Sequence, residues 1–93
     1  MKFDWDENKA AANEKKHSVS FEEAKTAFDD YNALLIPDPD HCDGEDRFVL
    51  LGFSAALRML VVCHCYREKD EIIRIISARK ATKKESATYE KRK

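Results

Sequence analysis

The residues best suited to chemistry lie in the last quarter of the chain, where cations surround a strand-like segment. Four isoleucines in the five positions 72–76 predict a buried strand, with Arg74 in its middle. A charge inside such a strand is costly unless it is paired or faces a ligand cleft. Arg79 and Lys80 follow at the expected exit of this strand. Since guanidinium and ammonium groups bind phosphate, the segment predicts an anion site.

A helix start directly after this strand strengthens that prediction. Thr82 and Glu85 have the spacing of a capping box, so we expect a helix to begin there. Its first turn holds Lys83 and Lys84, although the partial positive charge of a helix N-terminus favours acids at that place. Free N–H groups and these cations together would suit phosphate. The alternative is a solvated basic turn without a ligand.

Three further candidates stand one on each of three successive predicted strands: Arg47, His64 and Arg74. If the strand register allows, these side chains share one face of a sheet and form an electropositive cleft beside Arg79 and Lys80. His17 ends a predicted helix, where an imidazole more often caps or packs than reacts.

Length and charge limit what the chain can be. Its 93 residues correspond to a single domain, 1–93. Residues 1–46 hold five lysines against 13 Asp and Glu, a net charge of −8, whereas residues 47–93 hold 12 Lys and Arg against five Asp and Glu, a net +7. This asymmetry indicates a polyanion or an acidic partner, or two halves that neutralise each other. No segment resembles a membrane span or signal peptide, so we expect a cytoplasmic protein without membrane contact.

The cysteines and acids do not indicate a metal site. Cys42, Cys63 and Cys65 are odd in number, which argues against a disulfide framework, and they lack the usual spacing of zinc ligands. The acidic stretch 38–46 lacks the ligand pattern of a calcium loop. We therefore predict no metal and no cofactor.

The elements that must position the candidates follow an α+β pattern. After a short strand at 3–5, capping signals at Asp6 and Ser20 predict helices at 7–16 and 21–28. Strands are expected at 33–36, 47–53, 59–66 and 71–77, and Pro37 and Pro39 are expected to end the first of them before a polar loop at 38–45. The predicted order is β-α-α-β-β-β-β-α, a small twisted, mainly antiparallel sheet with helices packed on it.

Several motifs, spread over nearly the whole chain, resemble the BrnT family of bacterial type II toxins, which are related in fold to the RelE-like ribonucleases. The most specific blocks are Lys16-His17-Ser18-Val19-Ser20-Phe21-Glu22-Glu23-Ala24 and Ile73-Arg74-Ile75-Ile76-Ser77-Ala78-Arg79-Lys80-Ala81. The sequence departs from the family where glycine is usual, at Ser18 and in the turn containing Ala56 and Leu57.

The resemblance implies a metal-independent endoribonuclease that stops translation. It also implies a cognate BrnA-like antitoxin with a DNA-binding domain, so that DNA is contacted only through the antitoxin, in a heterotetramer of two toxins and two antitoxins that represses its own operon. RNA would be the substrate.

Cleavage of RNA without a metal requires deprotonation of the 2′-OH, stabilisation of a phosphorane and protonation of the leaving oxygen. Arginines suit the second task because they stay charged and donate two parallel hydrogen bonds. The catalytic candidates are Arg74, Arg79, His64, Lys80 and Glu85. A structural ion pair with an arginine is the plainer interpretation of Glu85. The RNA-binding candidates are Arg47, Lys83, Lys84, His17 and Tyr89.

Two alternatives remain at the level of sequence. The chain could bind RNA or a protein without cleaving RNA, since its net charge is low for an RNA enzyme. Its basic half could also serve only to dock an acidic partner, in which case the complex would be sensitive to salt.

Overall fold

The structure, a computed structural model, describes residues 2–42, 45–69 and 71–92 and has the predicted α+β order. Asp43 and Gly44 of the predicted acidic loop lie outside the described residues. A 3₁₀ turn, Ala27–Asp29, continues the second helix. The strands and helices are β1 (Lys2–Asp4), α1 (Glu7–His17), α2 (Phe21–Thr26), β2 (Leu34–Cys42), β3 (Glu45–Phe53), β4 (Met59–Arg67), β5 (Ile72–Lys80) and α3 (Lys83–Arg92).

The five strands form one sheet in the order β1-β5-β4-β3-β2. Strands β2 to β5 pair antiparallel with their sequence neighbours, and β1 pairs parallel with β5. The predicted mainly antiparallel sheet is therefore confirmed. The first strand lies beside the last one because the segment containing α1 and α2 crosses over the sheet between β1 and β2.

Strand β2 corrects the prediction that two prolines end it at residue 36. It continues to Cys42 and pairs with β3 through Pro37, which lies opposite Phe48. Proline lacks only the N–H donor, and an edge strand tolerates this when that position faces away from the neighbouring strand. Pro37 and Pro39 are two residues apart and so face the same side. The register shifts between Asp38 and His41, where the strand is irregular.

Strand β5 is also longer than predicted and reaches Lys80, so Arg79 and Lys80 belong to the strand rather than to its exit. Its register with β4 shifts once. Ser77 lies opposite Cys63, and Ile75 lies opposite His64, which leaves Ile76 as one extra residue. Such a β-bulge reverses the alternation of side chains between the two faces of the sheet.

Helices α1 and α2 cover one face of the sheet, here called the helical face. The side chain of Asp6 accepts hydrogen bonds from the backbone N–H of Asn8 and of Lys9, and Ser20 Oγ accepts one from Glu23 N, so both predicted N-caps are confirmed. A Cβ at Gly52 would stand 2.9 Å from Ala33 Cβ, which explains glycine there. The core on this side consists of Val19, Phe21, Ala24, Ala27, Leu50, Leu60, Val62, Ile73, Ile75 and Ala78.

A smaller cluster lies on the other face of the sheet, where α3 covers one end. Leu34, Leu51, Val61 and Tyr89 are buried together there. Tyr89 is 2 % exposed and donates its hydroxyl proton to Asp30 Oδ2 at 2.8 Å. The rest of this face is open. Within the described residues, no helix is long and apolar enough to cross a membrane.

Candidate functional site

Three arginines share the open face of the sheet. Arg47 on β3 and Arg74 on β5 both lie directly opposite Cys65 of β4, so the three residues form one row across three strands. Arg79 lies opposite Val61, four residues from Cys65 along β4 and therefore on the same face. Two strand spacings place the backbones of Arg47 and Arg74 roughly 10 Å apart. We call this surface, defined by Arg47, Arg74 and Arg79, the arginine face.

His64 does not belong to the arginine face, so the expectation that it lies beside Arg47 and Arg74 is wrong. It directly precedes Cys65 in β4, so its side chain points to the opposite side of the sheet, the helical face. Its side chain is fully buried, with the ring centroid of Phe28 4.8 Å and that of Tyr66 5.2 Å away. Burial lowers the pKa of the imidazole, which favours its neutral form. A side chain without accessible surface cannot touch RNA.

Arg74 and Arg47 each lie close to a carboxylate of a neighbouring strand. Arg74 Nη1 donates to Asp4 Oδ1 at 3.1 Å, and Asp4 lies opposite Arg74 in the parallel pairing of β1 with β5. The Nε atom of Arg47 lies 3.5 Å from Asp38 Oδ2 on β2. These contacts offset the free-energy cost of placing a charged side chain in a strand, because each guanidinium has a carboxylate beside it. Neither carboxylate was predicted from the sequence: Asp4 is remote from Arg74 along the chain, and Asp38 was assigned to a polar loop rather than to a strand beside Arg47.

Arg79 has the most complete pairing of the three. Its two terminal nitrogens donate to the two oxygens of Glu85, each at 2.8 Å. Glu85 Oε1 also accepts from Thr82 N at 2.8 Å, and Glu85 N donates to Thr82 Oγ1 at 3.2 Å. The predicted capping box is confirmed. The hydrogen bonds from Arg79, the main cause, hold the pKa of Glu85 down to about 2. At neutral pH this carboxylate is ionised and is a poor proton donor or acceptor.

The predicted anion site at the start of α3 is thus filled by the chain itself, because Glu85 takes both Arg79 and the N–H of Thr82. Lys83 and Lys84 are exposed in the first turn of α3. Lys80 is exposed too, but it lies opposite Leu60, so its side chain is on the helical face of the sheet. The expected cluster of cations is therefore divided between the two faces of the sheet.

The remaining two candidates do not reach the arginine face. His17 is the last residue of α1, which packs on the helical face. Tyr89 belongs to α3 and lies on the same side of the sheet as the arginine face, but it is buried against Leu34, Leu51 and Val61. Burial, with the contact to Asp30, raises the pKa of its hydroxyl to about 12. Both positions suit the packing of helices on the sheet.

A second polar cluster was not foreseen and joins α2 to the turn between β3 and β4. Glu23 accepts hydrogen bonds from Ser54 Oγ at 2.7 Å and from Arg58 Nε at 2.8 Å, and a terminal nitrogen of Arg58 also contacts it. The hydrogen bond from Arg58 is the largest cause of the lowered pKa of Glu23. A glutamate three residues after the N-cap Ser20 suggested only a capping box. Nothing in the sequence pointed to Arg58.

No metal site is evident in the part of the chain described here. No group of three or more His, Cys, Asp or Glu side chains is placed to hold an ion within residues 2–42, 45–69 and 71–92. Cys63 and Cys65 are free thiols. The three guanidinium groups of the arginine face can bind anions.

Comparisons with known proteins agree with this picture. Residues 5–85 match the family model described as the ribonuclease toxin, BrnT, of type II toxin–antitoxin systems. Among solved structures, the chain is similar to the crystal structure of the Brucella abortus ribonuclease toxin, BrnT. The identity is 26 %, the match covers 89 % of this chain and 99 % of that one, and the TM-score is 0.66. A search of curated protein sequences gives no match.

Proposed function

This chain belongs to the BrnT family of ribonuclease toxins of type II toxin–antitoxin systems, and from that premise we propose that it is a metal-independent endoribonuclease that arrests translation by cleaving RNA on its arginine face. The observation that supports this location for the site is that Arg47, Arg74 and Arg79 share one face of the sheet. The family description names the activity, and the three guanidiniums supply the phosphate-binding chemistry that it needs.

Arg74 and Arg79 are proposed to stabilise the phosphorane. Its equatorial oxygens gain negative charge in the transition state, and fixed guanidinium donors stabilise such charge without a metal ion. Arg47 is proposed to bind a neighbouring phosphate, because it lies on the same face, in the same row as Arg74 and two strands away from it. Lys83 and Lys84 extend this positive surface along the first turn of α3.

Water is the proposed proton donor to the leaving 5′-oxygen. Lys80 is left out of the proton transfers because it lies opposite Leu60, on the helical face, although it is next to Arg79 in the chain. His64 is left out of the proposed site because it is buried on the helical face. Glu85 is left out of the proton transfers because its carboxylate stays ionised against Arg79. The 2′-OH is proposed to lose its proton to water, and the positive surface stabilises the alkoxide that forms.

The type II family implies an antitoxin partner. We propose a BrnA-like antitoxin with a DNA-binding domain, joined to this chain in a heterotetramer of two toxins and two antitoxins. In this arrangement the complex represses its own operon in the cytoplasm, and the toxin contacts DNA only through its partner.

The test is an RNA cleavage assay with the purified, antitoxin-free protein in the presence of EDTA. The variants are Arg74→Ala and Arg79→Ala, and the matched control is Lys15→Ala, which removes one cation from the exposed side of α1. Circular dichroism shows whether each variant is folded. We expect the wild type and Lys15→Ala to cleave RNA with EDTA, and each arginine variant to lose about 100-fold in rate or more, the usual effect of removing one transition-state donor.

Intact RNA with the folded wild type, both alone and with added ribosomes, would contradict the ribonuclease proposal. Cleavage that stops on adding EDTA would contradict metal independence. Full activity in both folded arginine variants would move the site away from the arginine face.

A further inference from the structure

We propose that Glu85 is a positioning residue that occupies Arg79 in place of an RNA phosphate, so that RNA binds Arg79 only by displacing this carboxylate. The inference rests on the proposed function and concerns how its site is regulated. It predicts that, in the absence of RNA, the guanidinium of Arg79 is held in place by Glu85 and is not available to a phosphate. We call this the resting state. The occupant is part of the chain, six residues after the arginine that it covers.

The geometry of the pair supports exchange with phosphate. Arg79 presents two parallel N–H donors to the two oxygens of Glu85, with both N–O distances at 2.8 Å. This fork binds carboxylate and phosphate in the same bidentate manner. A phosphodiester carries one negative charge, as the carboxylate does. The exchange therefore leaves the charge around Arg79 unchanged and needs no new orientation of the guanidinium.

The position of the pair at the surface makes the exchange accessible. The side chain of Arg79 is 42 % exposed and that of Glu85 is 32 % exposed. Ion pairs in such positions contribute little to stability because water screens them. A phosphate that is held in place by contacts elsewhere on the arginine face could therefore compete with Glu85.

Displacement of Glu85 also opens the start of α3. Thr82 N loses its acceptor when the carboxylate leaves, since Glu85 Oε1 accepts that N–H in the resting state. A donor at the first turn of a helix is a favourable neighbour for phosphate. Lys83 and Lys84, which the helix dipole disfavours, stand in the same turn. Their positive charge is then balanced by the phosphate that replaces Glu85.

The binding of a non-cleavable RNA tests this directly. The probe is a short 2′-O-methyl oligoribonucleotide, which lacks the attacking hydroxyl, and affinity is measured over a range of salt concentrations. The variant Glu85→Gln keeps the cap, because glutamine can still accept from Thr82 N. The matched control is Glu90→Gln, which makes the same change of charge at an exposed position of the same helix. The double variant Arg79→Ala with Glu85→Gln is compared with Arg79→Ala.

We expect Glu85→Gln to bind the probe about three- to fivefold more tightly than the wild type, the factor set by losing one exposed ion pair. The plot of log affinity against log salt should steepen by roughly 0.7, the slope of one added phosphate contact to a single strand. Glu90→Gln should change affinity less than about twofold. Arg79→Ala with Glu85→Gln should bind no more tightly than Arg79→Ala, because the gain acts through Arg79.

If Glu85→Gln binds no better than Glu90→Gln while the wild type binds RNA, the pair has only a structural role and the inference is overturned. Equal gains with and without Arg79 would also overturn it, since they would reflect net charge alone. If no protein binds the probe even at low salt, the proposed function fails, and this inference fails with it.

Discussion

Arg74 and Arg79 lie on the same face of the sheet although an odd number of positions separates them. In a regular strand, residues five apart point to opposite faces. The β-bulge at Ile76 reverses the alternation between them, so that Arg74 lies opposite Cys65 and Arg79 lies opposite Val61. The arginine face therefore depends on one extra residue in β5.

The two arginines are predicted to contribute independently to RNA binding. Their backbones are separated by roughly 15 Å along β5, and each guanidinium is held by its own carboxylate, Asp4 or Glu85, so neither arginine depends on the other for its position. Each single change to alanine should lower the slope of log affinity against log salt by roughly 0.7, and the double variant should lower it by about twice as much. Binding of a 2′-O-methyl oligoribonucleotide at several salt concentrations measures these slopes. A double variant no worse than either single one would show that only one arginine contacts RNA.

Asn13 is predicted to be the polar residue on which the packing of α1 depends. Its Nδ2 donates to Ala78 O and to Val19 O, both at 2.9 Å, and its Oδ1 accepts from Ala78 N at 3.1 Å. It therefore pairs with β5 as a neighbouring strand would. The isosteric change Asn13→Asp places a carboxylate against two carbonyl oxygens and should lower the free energy of unfolding by about 2–4 kcal/mol.

Urea unfolding of the Asn13→Asp variant measures this loss. The control is Asn8→Asp, which makes the same substitution at an exposed position of the first turn of α1, where an acid is favourable. Equal stability of the two variants would contradict the role given to Asn13.

His64 is predicted to be structural and to make stability depend on pH. It is neutral in the folded chain because burial lowers its pKa, whereas the unfolded chain takes up a proton below about its ordinary value of 6.5. Stability should therefore fall as the pH drops below about 6.5. The variant His64→Phe, whose ring fits among Phe28, Phe48 and Tyr66, should lose this part of the dependence. Thermal unfolding between pH 7.5 and 5, roughly one unit on either side of the ordinary pKa of histidine, measures it.

The same His64→Phe variant should cleave RNA at a rate within about threefold of the wild type, a factor that corresponds to less than the loss of one hydrogen bond. A folded His64→Phe protein without activity would show that the histidine takes part in catalysis after all.

Glu85 should stabilise the fold at neutral pH and stop doing so in acid. Its folded pKa is about 2, against an ordinary value of 4.5. A lowered pKa of an acid gives stability that is present above about pH 4.5 and lost as the pH falls towards 2. With allowance for solvent screening of a partly exposed pair, the contribution is about 0.5–1 kcal/mol.

Glu85→Gln should therefore be less stable than the wild type at pH 7 by that amount, and the two should converge near the folded pKa of about 2. Urea unfolding at several pH values gives the comparison, with Glu90→Gln as the control that should follow the wild type. A difference that does not change with pH would contradict the ion pair as its source.

Ser18 is predicted to carry backbone strain that glycine would relieve. It caps the C-terminus of α1 with a φ of 58°, in the left-handed region where side chains are disfavoured. Ser18→Gly should raise the free energy of unfolding by about 0.5–1 kcal/mol. The contact from Arg58 to the carbonyl of Ser18 is kept, since it involves only the backbone. Thermal unfolding beside Ser18→Ala, which should bring no gain, tests this prediction.

Local signals in the sequence were reliable where the structure they describe is local. The caps at Asp6, Ser20 and Thr82 placed the starts of α1, α2 and α3 correctly, because each cap satisfies backbone groups within three residues of itself. The element order followed from these caps and from the apolar segments between them. The error at Pro37 arose because a proline breaks a strand only where its missing donor is needed, and the neighbouring strand decides that.

The sequence by itself determined the α+β order, the helix starts and the presence of cations suited to phosphate. Only the tertiary structure decided which of these cations share a surface. The bulge at Ile76 brought Arg74 and Arg79 to one face, and the register with β4 sent His64 to the other. The physical reason is that side chains alternate with a period of two, so a shift of one residue exchanges the faces. Arg74 meets Asp4, and Arg47 meets Asp38, because folding pairs their strands, whereas Glu85 follows its partner Arg79 by six residues in the chain.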